Sequence, residues 1–310
     1  MFAPEIPSTV NPWNAVPDTA LARIVGFLTD IDDTLTTEGA ITPEALDALW
    51  QLRAAGVPVI AITGRPMGWS APFARPVAQG GWPLSAIVAE NGAVALRAEG
   101  DSLTIEYAQD EADRARNAVR LRATADRVLR EVPGAKLAQD SAGRVTDIAI
   151  DHSEFSHLTP AQIERVVAIM RAQGMTATVS SIHINGWFGE HDKPSGARWM
   201  VARLFGRALD AERDRWIYVG DSTNDQAMFG IIPLSVGVAN LRRFADALTV
   251  WPAYISQGAR GAGFAEVAAA MLAAAGRRSA GYVSEDGRAP CPRESPGSLP
   301  VRPNRAASRS

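Results

Sequence analysis

The feature of the sequence that most constrains its fold is a set of four short apolar runs, each of which ends in polar or charged residues. The runs occupy residues 24–30, 57–63, 85–91 and 215–221. Their length and their content of β-branched residues are typical of buried β-strands. Because few polar residues interrupt them, both faces of each strand are expected to be covered, as in a parallel sheet with helices on both sides.

Helical segments alternate with these strands. Thr42 is suited to be an N-cap, Pro43 suits the first helical position, and Gly56 ends the apolar periodicity. A second helix is predicted around 194–207, and a further short strand lies near 234–239. The pattern predicts an α/β protein with a doubly wound parallel sheet.

The middle of the chain has a different pattern. A long charged amphipathic helix is predicted over 106–132, and strand, helix, strand and strand patterns follow at 144–151, 159–174, 176–180 and 182–187. This order predicts an α+β unit inserted into the parallel-sheet core. The predicted division is a first core part over 20–92, an inserted domain over 93–187, a second core part over 188–277, and a disordered tail rich in Pro, Ser, Gly and Arg over 281–310.

Composition argues against several classes of partner and site. The chain of 310 residues carries a net charge of -3 and has a pI near 5.9, so no global positive field favours nucleic acid or an anionic membrane. Cys291 is the only cysteine, which excludes an intrachain disulfide and a four-cysteine zinc site. No leader or membrane-spanning pattern is evident. We therefore expect a soluble protein in the cytoplasm.

Several oxygen-bearing side chains follow the predicted strands. The carboxyl ends of the strands in an open parallel sheet meet at one edge, where ligands bind. Carboxylates gathered there suit Mg²⁺, and a lysine would add a further positive charge. Such a site would neutralise a phosphate dianion and allow a carboxylate to attack phosphorus. The oxygen-bearing side chains are those of Asp30, Asp32, Thr63, Asp221 and Asp225, and the lysine is Lys193.

The same residues carry a resemblance to a known family. DIDDT at 30–34 fits the D-x-D-x-T signature of the haloacid dehalogenase-type phosphohydrolases. TGR at 63–65, DK at 192–193 and GDSTND at 220–225 resemble the second, third and fourth motifs of that family. All four segments occur in the expected order.

The resemblance implies a role for each matching residue. Asp30 would be the nucleophile, Asp32 the general acid and base, Thr63 a phosphate-binding hydroxyl and Lys193 a clamp for phosphate and nucleophile. The cofactor would be Mg²⁺. Its implied site comprises Asp30, Asp32 through its backbone carbonyl, Asp221, Asn224 through its amide, and Asp225 as a supporting residue.

The spacing of the motifs resembles that of one subfamily. Only 33 residues separate Asp30 from Thr63, whereas 130 separate Thr63 from Lys193, so the cap lies between the second and third motifs. This placement and the AENGA segment at 89–93 are similar to subfamily IIB, which includes Cof-type sugar phosphatases, sucrose-phosphate phosphatase and mannosyl-3-phosphoglycerate phosphatase. The implied fold is a Rossmann-like core with a C2-type α+β cap.

Candidate substrate-binding residues come from both units. His183, Asn185 and Trp187 alternate along a predicted strand and would share one face, where Trp187 could stack on a sugar ring; packing in the cap or its hinge is the alternative. Arg65 is a candidate for a second anionic group of the substrate, with a surface ion pair as the alternative. The candidates from the core are Thr63, Gly64, Arg65, Asn91 and Lys193, and Glu90 could reach the leaving group or act at the cap hinge.

One residue departs from the family pattern. Many relatives carry Gly at the position of Asp33. An extra carboxylate there would either approach the metal and hinder a highly anionic substrate or point to solvent, and we expect the second arrangement.

These observations together predict a phosphatase. We expect it to hydrolyse the phosphate monoester of a sugar or a related small metabolite through an aspartyl phosphate, with Mg²⁺ as cofactor. A phosphosugar mutase and a non-catalytic phosphometabolite sensor on the same fold are the alternatives. A third alternative is an interaction protein that works through the proline-rich tail.

Overall fold

A nine-stranded sheet and a four-stranded sheet organise the computed structural model, which describes residues 6–284. The strands are β1 (Asn11–Pro12), β2 (Gly26–Thr29), β3 (Thr36–Thr37), β4 (Ala40–Ile41), β5 (Val59–Ile62), β6 (Ala86–Ala89), β7 (Val94–Glu99), β8 (Ser102–Tyr107), β9 (Lys136–Leu137), β10 (Asp147–Asp151), β11 (Thr176–Val179), β12 (His183–Trp187), β13 (Trp216–Gly220), β14 (Leu234–Gly237) and β15 (Tyr254–Ile255).

Helices connect most of these strands. The α-helices are α1 (Asp18–Leu21), α2 (Pro43–Ala54), α3 (Met67–Ser70), α4 (Glu111–Glu131), α5 (Pro160–Ala172), α6 (Lys193–Phe205), α7 (Gln226–Ile231) and α8 (Arg260–Ser284). Short 3-10 helices occupy Trp13–Ala15, Val77–Gln79, Glu90–Gly92, Gln139–Gly143, Leu209–Ala211, Arg213–Arg215, Thr223–Asp225 and Ala239–Ala247.

The large sheet is doubly wound around β2. Its strand order is β1-β15-β14-β13-β2-β5-β6-β7-β8. In that order, each neighbouring pair between β1 and β6 is parallel. The chain builds outward from β2 through β5 and β6 on one side, and through β13, β14 and β15 on the other. The order therefore reverses beside β2, which is where open α/β sheets form their binding crevice. The predicted fold class is confirmed.

The central strands alternate between two apolar cores. Phe27 and Val219 contribute to a core formed with α2 and α8, whereas Leu28 and Tyr218 face a second core formed with α6 and α7. This period of two is the geometry of a strand that is buried on both faces. It explains why the sequence shows uninterrupted apolar runs.

The N-cap of α2 agrees with the sequence pattern, and α5 also begins with a side-chain cap. The Thr42 side chain accepts a hydrogen bond from the amide of Ala45 at the start of α2, and Pro43 follows it in the first turn. Thr159 and Gln162 form a reciprocal capping box at the start of α5. These contacts satisfy amides that a helix would otherwise leave without a partner.

The beginning of the predicted insertion differs from the expectation. Residues 94–107 form the antiparallel hairpin β7–β8, which extends the large sheet next to β6. The helix predicted from residue 106 begins only at Glu111, because the Asp110 side chain caps it through the amide of Asp113. The hairpin therefore belongs to the large sheet and not to the smaller one, so the predicted boundary at residue 93 precedes two strands of the core.

The smaller unit, called the cap below, comprises residues 111–187. Its antiparallel sheet has the order β11-β12-β10-β9, and α4 and α5 cover one face. Ile150 and Ile184 of the sheet share an apolar core with Val128 of α4 and Val166 of α5. The cap thus has its own core, although the exact domain division stays a proposal.

The chain enters and leaves the cap at adjacent points. The Gln109 side-chain amide donates to the carbonyl of Phe188 over 2.6 Å, which joins the two connections. At the other end of the chain, α8 continues to Ser284, four residues into the segment predicted to be disordered. The rest of that predicted tail, including Cys291, lies outside the described residues.

Candidate active site

Asp30 lies directly after β2 at the reversal point of the large sheet. Its amide donates to the carbonyl of Val219 over 2.8 Å, which extends the pairing of β2 with β13 by one residue. The side chain is 4% exposed. Its Oδ1 accepts a hydrogen bond from the Lys193 Nζ over 2.7 Å. One carboxylate oxygen is thus fixed by an ammonium group, as the predicted clamp requires.

Lys193 also contacts Asp225. Its Nζ donates to the Asp225 Oδ1 over 2.7 Å, and the Tyr218 hydroxyl donates to the same oxygen. The other oxygen, Oδ2, accepts hydrogen bonds from the backbone amides of Asp221 and Ser222 over 2.9 and 3.0 Å. Both oxygens of Asp225 are therefore occupied by protein donors. These contacts fit the supporting role that the resemblance implies for Asp225, in which it holds Lys193 and the Asp221 loop.

Asp221 follows β13 and is fully buried. Its Oδ2 accepts hydrogen bonds from the Asn240 amide over 3.0 Å and from the Arg243 guanidinium over 2.9 Å. Its Oδ1 is buried without a hydrogen-bond partner among residues 6–284. An unpaired buried carboxylate oxygen is costly unless another group satisfies it.

The electrostatics of the site show a deficit of positive charge. Carboxylate oxygens of Asp30, Asp221 and Asp225 lie within 4.8 Å of one another. Burial raises the pKa of Asp30 to about 7; Lys193 opposes this, and the negative charges of Asp225 and Asp32 add to it. Burial and the charges of Asp30 and Asp225 raise the pKa of Asp221 well above its ordinary value. Lys193, together with an Arg243 that is shared with Asp33, does not balance these three carboxylates.

A divalent cation fits this arrangement. It would supply the missing charge and a partner for the Asp221 Oδ1, and carboxylate oxygens are the ligands that Mg²⁺ prefers. Asn224, a predicted ligand, lies nearby, but its Oδ1 accepts a hydrogen bond from the Ser222 hydroxyl over 2.8 Å. The residues with the strongest claim to the ion are therefore Asp30 and Asp221.

Asp32 lies on the side of the site that faces the cap. The Arg65 Nε donates to both of its carboxylate oxygens, over 2.9 and 3.1 Å. The same guanidinium reaches Asp140 over 3.2 Å and Glu154 over 2.7 Å. Arg65 thus connects the predicted general acid of the core to two carboxylates of the cap. With three carboxylates around it, Arg65 has no unpaired charge for a second anionic group of a substrate.

The TGR segment forms a buried loop after β5. The Thr63 hydroxyl accepts a hydrogen bond from the backbone amide of Arg65 over 3.0 Å. A Cβ at Gly64 would lie only 3.2 to 3.3 Å from the side chains of Asn185 and Asn91, so a larger residue would press on both. The Gly64 carbonyl accepts hydrogen bonds from Asn185 over 3.2 Å and from Arg144 over 2.9 Å. The cap therefore docks directly on the predicted phosphate-binding loop.

Glu90 and Asn91 link this loop to the cap. Both have left-handed backbone conformations, with φ of 50° and 54°, which are uncommon for residues other than glycine. Their amides donate to the carbonyls of Arg65 and Thr63 over 3.0 and 2.9 Å. The buried Glu90 carboxylate accepts a hydrogen bond from the amide of Thr146 over 2.6 Å and a second one from the Thr146 hydroxyl. Of the two predicted roles of Glu90, this geometry favours the one at the cap.

The structure brings two of the three predicted strand residues into the site. His183 contacts Glu154 through its Nε2 over 2.8 Å, and Asn185 donates to Asp147 over 2.9 Å. The Trp187 ring is 1% exposed and stacks on His191 with a centroid distance of 5.5 Å. A ring buried to this extent offers no face to a sugar, so Trp187 packs at the hinge.

Asp33 occupies neither of its two expected positions. Its carboxylate pairs with Arg243 over 2.6 Å and with Arg260 over 3.1 Å, and the side chain is 13% exposed. The residue therefore neither approaches the metal position nor points into solvent. Its φ of 53° gives a physical reason for Gly at this position in relatives, because glycine adopts this conformation without strain.

Most of the predicted residues line one small pocket between the core and the cap. It is lined by Asp30, Asp32, Gly64, Arg65, His183, Asn185 and Asn224, together with the cap residues Ser180, Ser181 and Ile182. The motifs did not indicate the cap side of this region. Sequence reasoning missed Asp140, Arg144, Asp147 and Glu154, and on the core side it missed Tyr218, Asn240 and Arg243.

Comparison with known proteins supports the predicted resemblance. The family model described as haloacid dehalogenase-like hydrolase matches residues 27–120, which include the first and second motifs. This match covers under a third of the chain's 310 residues. The predicted resemblance to this family is confirmed over residues 27–120. No curated protein sequence matches the chain significantly.

Several solved structures share the fold of this chain. A putative HAD/COF-like hydrolase from Plasmodium vivax is 16% identical with a TM-score of 0.59, and the match covers 83% of this chain and 99% of that one. The sucrose-phosphatase of a Synechocystis species, solved with sucrose and phosphate, is 16% identical with a TM-score of 0.57 over 80% and 98% of the chains. A sugar phosphatase of HAD subclass IIB is 15% identical with a TM-score of 0.52 over 80% and 98%. At these identities the likeness shows the fold alone.

None of the helices in residues 6–284 is both long and apolar enough to cross a membrane.

Proposed function

We propose that this protein belongs to the haloacid dehalogenase-like hydrolases and is an Mg²⁺-dependent phosphatase that removes the phosphate of a small phosphorylated metabolite, with a sugar phosphate as the expected substrate. The observation that carries the proposal is the fixed carboxylate of Asp30. Lys193 holds one of its oxygens, and the phosphate-binding loop and Asp32 share its pocket. The sugar phosphatases that share the fold support the substrate class.

The proposed first half-reaction transfers the phosphoryl group to Asp30. The carboxylate oxygen that Lys193 does not hold attacks phosphorus, the bond from phosphorus to the leaving oxygen breaks, and Asp32 gives that oxygen a proton. Arg65 orients Asp32 through both of its carboxylate oxygens. In the second half-reaction, water attacks the phosphorus of the aspartyl phosphate, Asp32 takes the proton of that water, and the Asp30 carboxylate is regenerated.

The fixed groups around Asp30 supply positioning and charge. Lys193 directs the nucleophile, while the Thr63 hydroxyl and the adjacent loop define the position of the phosphate. Bound Mg²⁺, held by Asp30 and Asp221, would neutralise negative charge on the phosphoryl oxygens. Closure of the cap over the loop excludes bulk water while the bond to phosphorus forms.

The test is phosphate release from a panel of hexose phosphates, disaccharide phosphates and acyclic phosphate monoesters, with Mg²⁺ and with EDTA. Wild type should release phosphate only with the metal, and Asp30→Asn should not. Asp47→Asn is the matched control, because it makes the same substitution at an exposed position of α2. Equal release by Asp30→Asn and wild type would refute the proposal, and an isomeric sugar phosphate as product would indicate a mutase.

The predicted location in the cytoplasm and the expected lack of nucleic-acid and membrane partners stay predictions.

A further inference from the structure

A cavity of about 540 Å³ opens between the core and the cap next to Asp32. It shares Asp32, Arg65 and Ser181 with the small pocket that contains Asp30. A cavity of this size is within the range of small-molecule sites. It is lined by Asp32, Asp33, Thr36, Glu38, Gly39 and Arg65 of the core edge, Ser153, Glu154, Phe155, Ser181 and Ile182 of the cap, and Arg243 and Arg260.

The cap contributes a rigid loop to this cavity. Asp151 ends β10, and its carboxylate accepts four consecutive amides, which belong to Ser153, Glu154, Phe155 and Ser156, over 2.9 to 3.1 Å. A second contact fixes the loop to the neighbouring strand connection, since the Ser153 hydroxyl donates to the carbonyl of Ser181 over 2.7 Å. We call residues 153–156 the shelf loop.

The shelf loop presents one large apolar ring. Phe155 is 62% exposed although its backbone is held by Asp151. Single exposed apolar residues are common on protein surfaces and need no explanation by themselves. Val119 on α4 is an example, with the same exposed fraction. Phe155 differs from Val119 because it lines a cavity that also contains the proposed general acid, Asp32.

Most charged groups of the cavity are paired, and none of its positive charge is in excess. Its four carboxylates, those of Asp32, Asp33, Glu38 and Glu154, face three guanidinium groups. Arg65 pairs with Asp32 and Glu154, and Arg243 and Arg260 pair with Asp33. The cavity therefore has no excess positive charge for a second phosphate or a carboxylate of the substrate. It does have carboxylate oxygens that can accept hydrogen bonds from hydroxyl groups.

We infer that Phe155 and Glu154 of the shelf loop bind the leaving group of the substrate, and that this group is an uncharged ring bearing hydroxyls, such as a sugar. The inference rests on the proposed function. Asp32 gives its proton to the leaving oxygen, so the leaving group must lie on the Asp32 side, where this cavity opens. The phenyl ring would cover the C–H face of the ring and exclude water from it, and Glu154 would accept a hydroxyl hydrogen bond.

The test compares Phe155→Ala with Phe155→Trp on two substrates, glucose 6-phosphate and the acyclic glycerol 3-phosphate. Phe155→Ala should lower the ratio of kcat/KM for the cyclic substrate to that for the acyclic one by about tenfold, mainly through KM. Phe155→Trp should retain the ratio within about threefold, because it keeps an aromatic face. Val119→Ala is the matched control and should leave the ratio unchanged.

A binding measurement separates this inference from the proposed function. Calorimetric titration of Asp30→Asn and of Asp30→Asn with Phe155→Ala needs no turnover, so it applies even if the wild type releases no phosphate. Weaker binding of glucose 6-phosphate, but not of glycerol 3-phosphate, in the double variant supports the inference. An equal change for both ligands, no change for either, or a change in oligomeric state on Phe155→Ala would overturn it.

Discussion

The core edge and the cap face contribute to the same site in different ways. On the core edge, Asp30, Thr63 and Asp221 each follow a strand of the parallel sheet, so the sheet topology alone brings them together. On the cap face, Asp140 and Glu154 reach the site through pairing with Arg65. The chemistry therefore depends on backbone topology, whereas the closed position of the cap depends on individual side-chain pairs.

The two regions also differ in charge balance. The core edge has more carboxylates than positive groups, and the pKa of Asp30 rises to about 7, mainly through burial. On the cap face, burial opposes ionisation of Glu154, but hydrogen bonds from His183 and Arg65 outweigh it and lower the pKa to about 2. The core edge, with its excess of carboxylates, is suited to bind a cation. The cap face, where the charges are paired, is suited to close on a neutral group.

The largest effects are expected on the core edge, where they distinguish the supporting residue Asp225 from the proposed metal ligand Asp221. Asp225→Ala should lower the free energy of unfolding by about 3–5 kcal/mol, because it removes an acceptor of Lys193 and leaves a buried charge partly unpaired. Asp221→Asn should abolish phosphate release and cost less than about 1 kcal/mol, because an amide oxygen can still accept from Asn240 and Arg243. Urea unfolding and phosphate release measure the two quantities. A similar stability loss in both variants would contradict the assigned roles.

A smaller effect is expected where the core holds the cap. Glu90→Ala should lower the free energy of unfolding by about 2–3 kcal/mol, since it leaves the buried donors of Val145 and Thr146 without an acceptor. Hydrogen exchange of these two amides should become faster. Glu99→Ala, at the exposed end of β7, is the control. Unchanged exchange in Glu90→Ala would show that Glu90 does not hold the cap.

A third prediction concerns pH. The folded pKa of Glu154 lies below its ordinary value of 4.5, so its ionised form stabilises the fold above about pH 4.5, and this contribution is lost as the pH falls toward about 2. The wild type should be more stable than Glu154→Gln at pH 6, and the difference should shrink between about pH 5 and pH 3. Chemical unfolding at each pH measures it. A difference that stays constant or grows on acidification would contradict the assigned contacts.

The smallest effect is expected at Asp33. Asp33→Gly removes two ion pairs with partly exposed arginines, worth about 0–1 kcal/mol each, and it relieves a left-handed conformation at a gain of similar size. We expect a net stability change within about 1 kcal/mol and a change in kcat/KM below about threefold. A loss of activity above tenfold would show that Asp33 contributes to the reaction.

The sequence predicts the core edge well because strand ends and short motifs are local features. The apolar runs define β2, β5, β6 and β13, and the topology of a parallel sheet then gathers the residues behind them. The predicted capping of α2 is likewise local and is confirmed.

The contacts of the cap could not be predicted in this way. Arg65 meets Glu154 across 89 residues, and Asn185 meets Gly64 across 121, so neither pair leaves a periodic signal. Trp187 illustrates the same limit, since alternation in β12 places it on the face of Asn185 but does not show that His191 covers its ring. The hairpin β7–β8 was not predicted. The helical pattern that follows it was extended back to residue 106, which overlaps the end of β8.

The central claim is that Asp30 becomes phosphorylated, and the most direct test is to trap that intermediate. Asp32→Asn should slow the second half-reaction, while 4-nitrophenyl phosphate has a leaving group that needs little protonation. After rapid mixing with Mg²⁺ and an acid quench, peptide mass spectrometry should find one phosphoryl group on the peptide that contains Asp30, and none when Asp30→Asn is added. Release of nitrophenol with an unmodified Asp30 peptide, or with the phosphoryl group on another residue, would contradict the account.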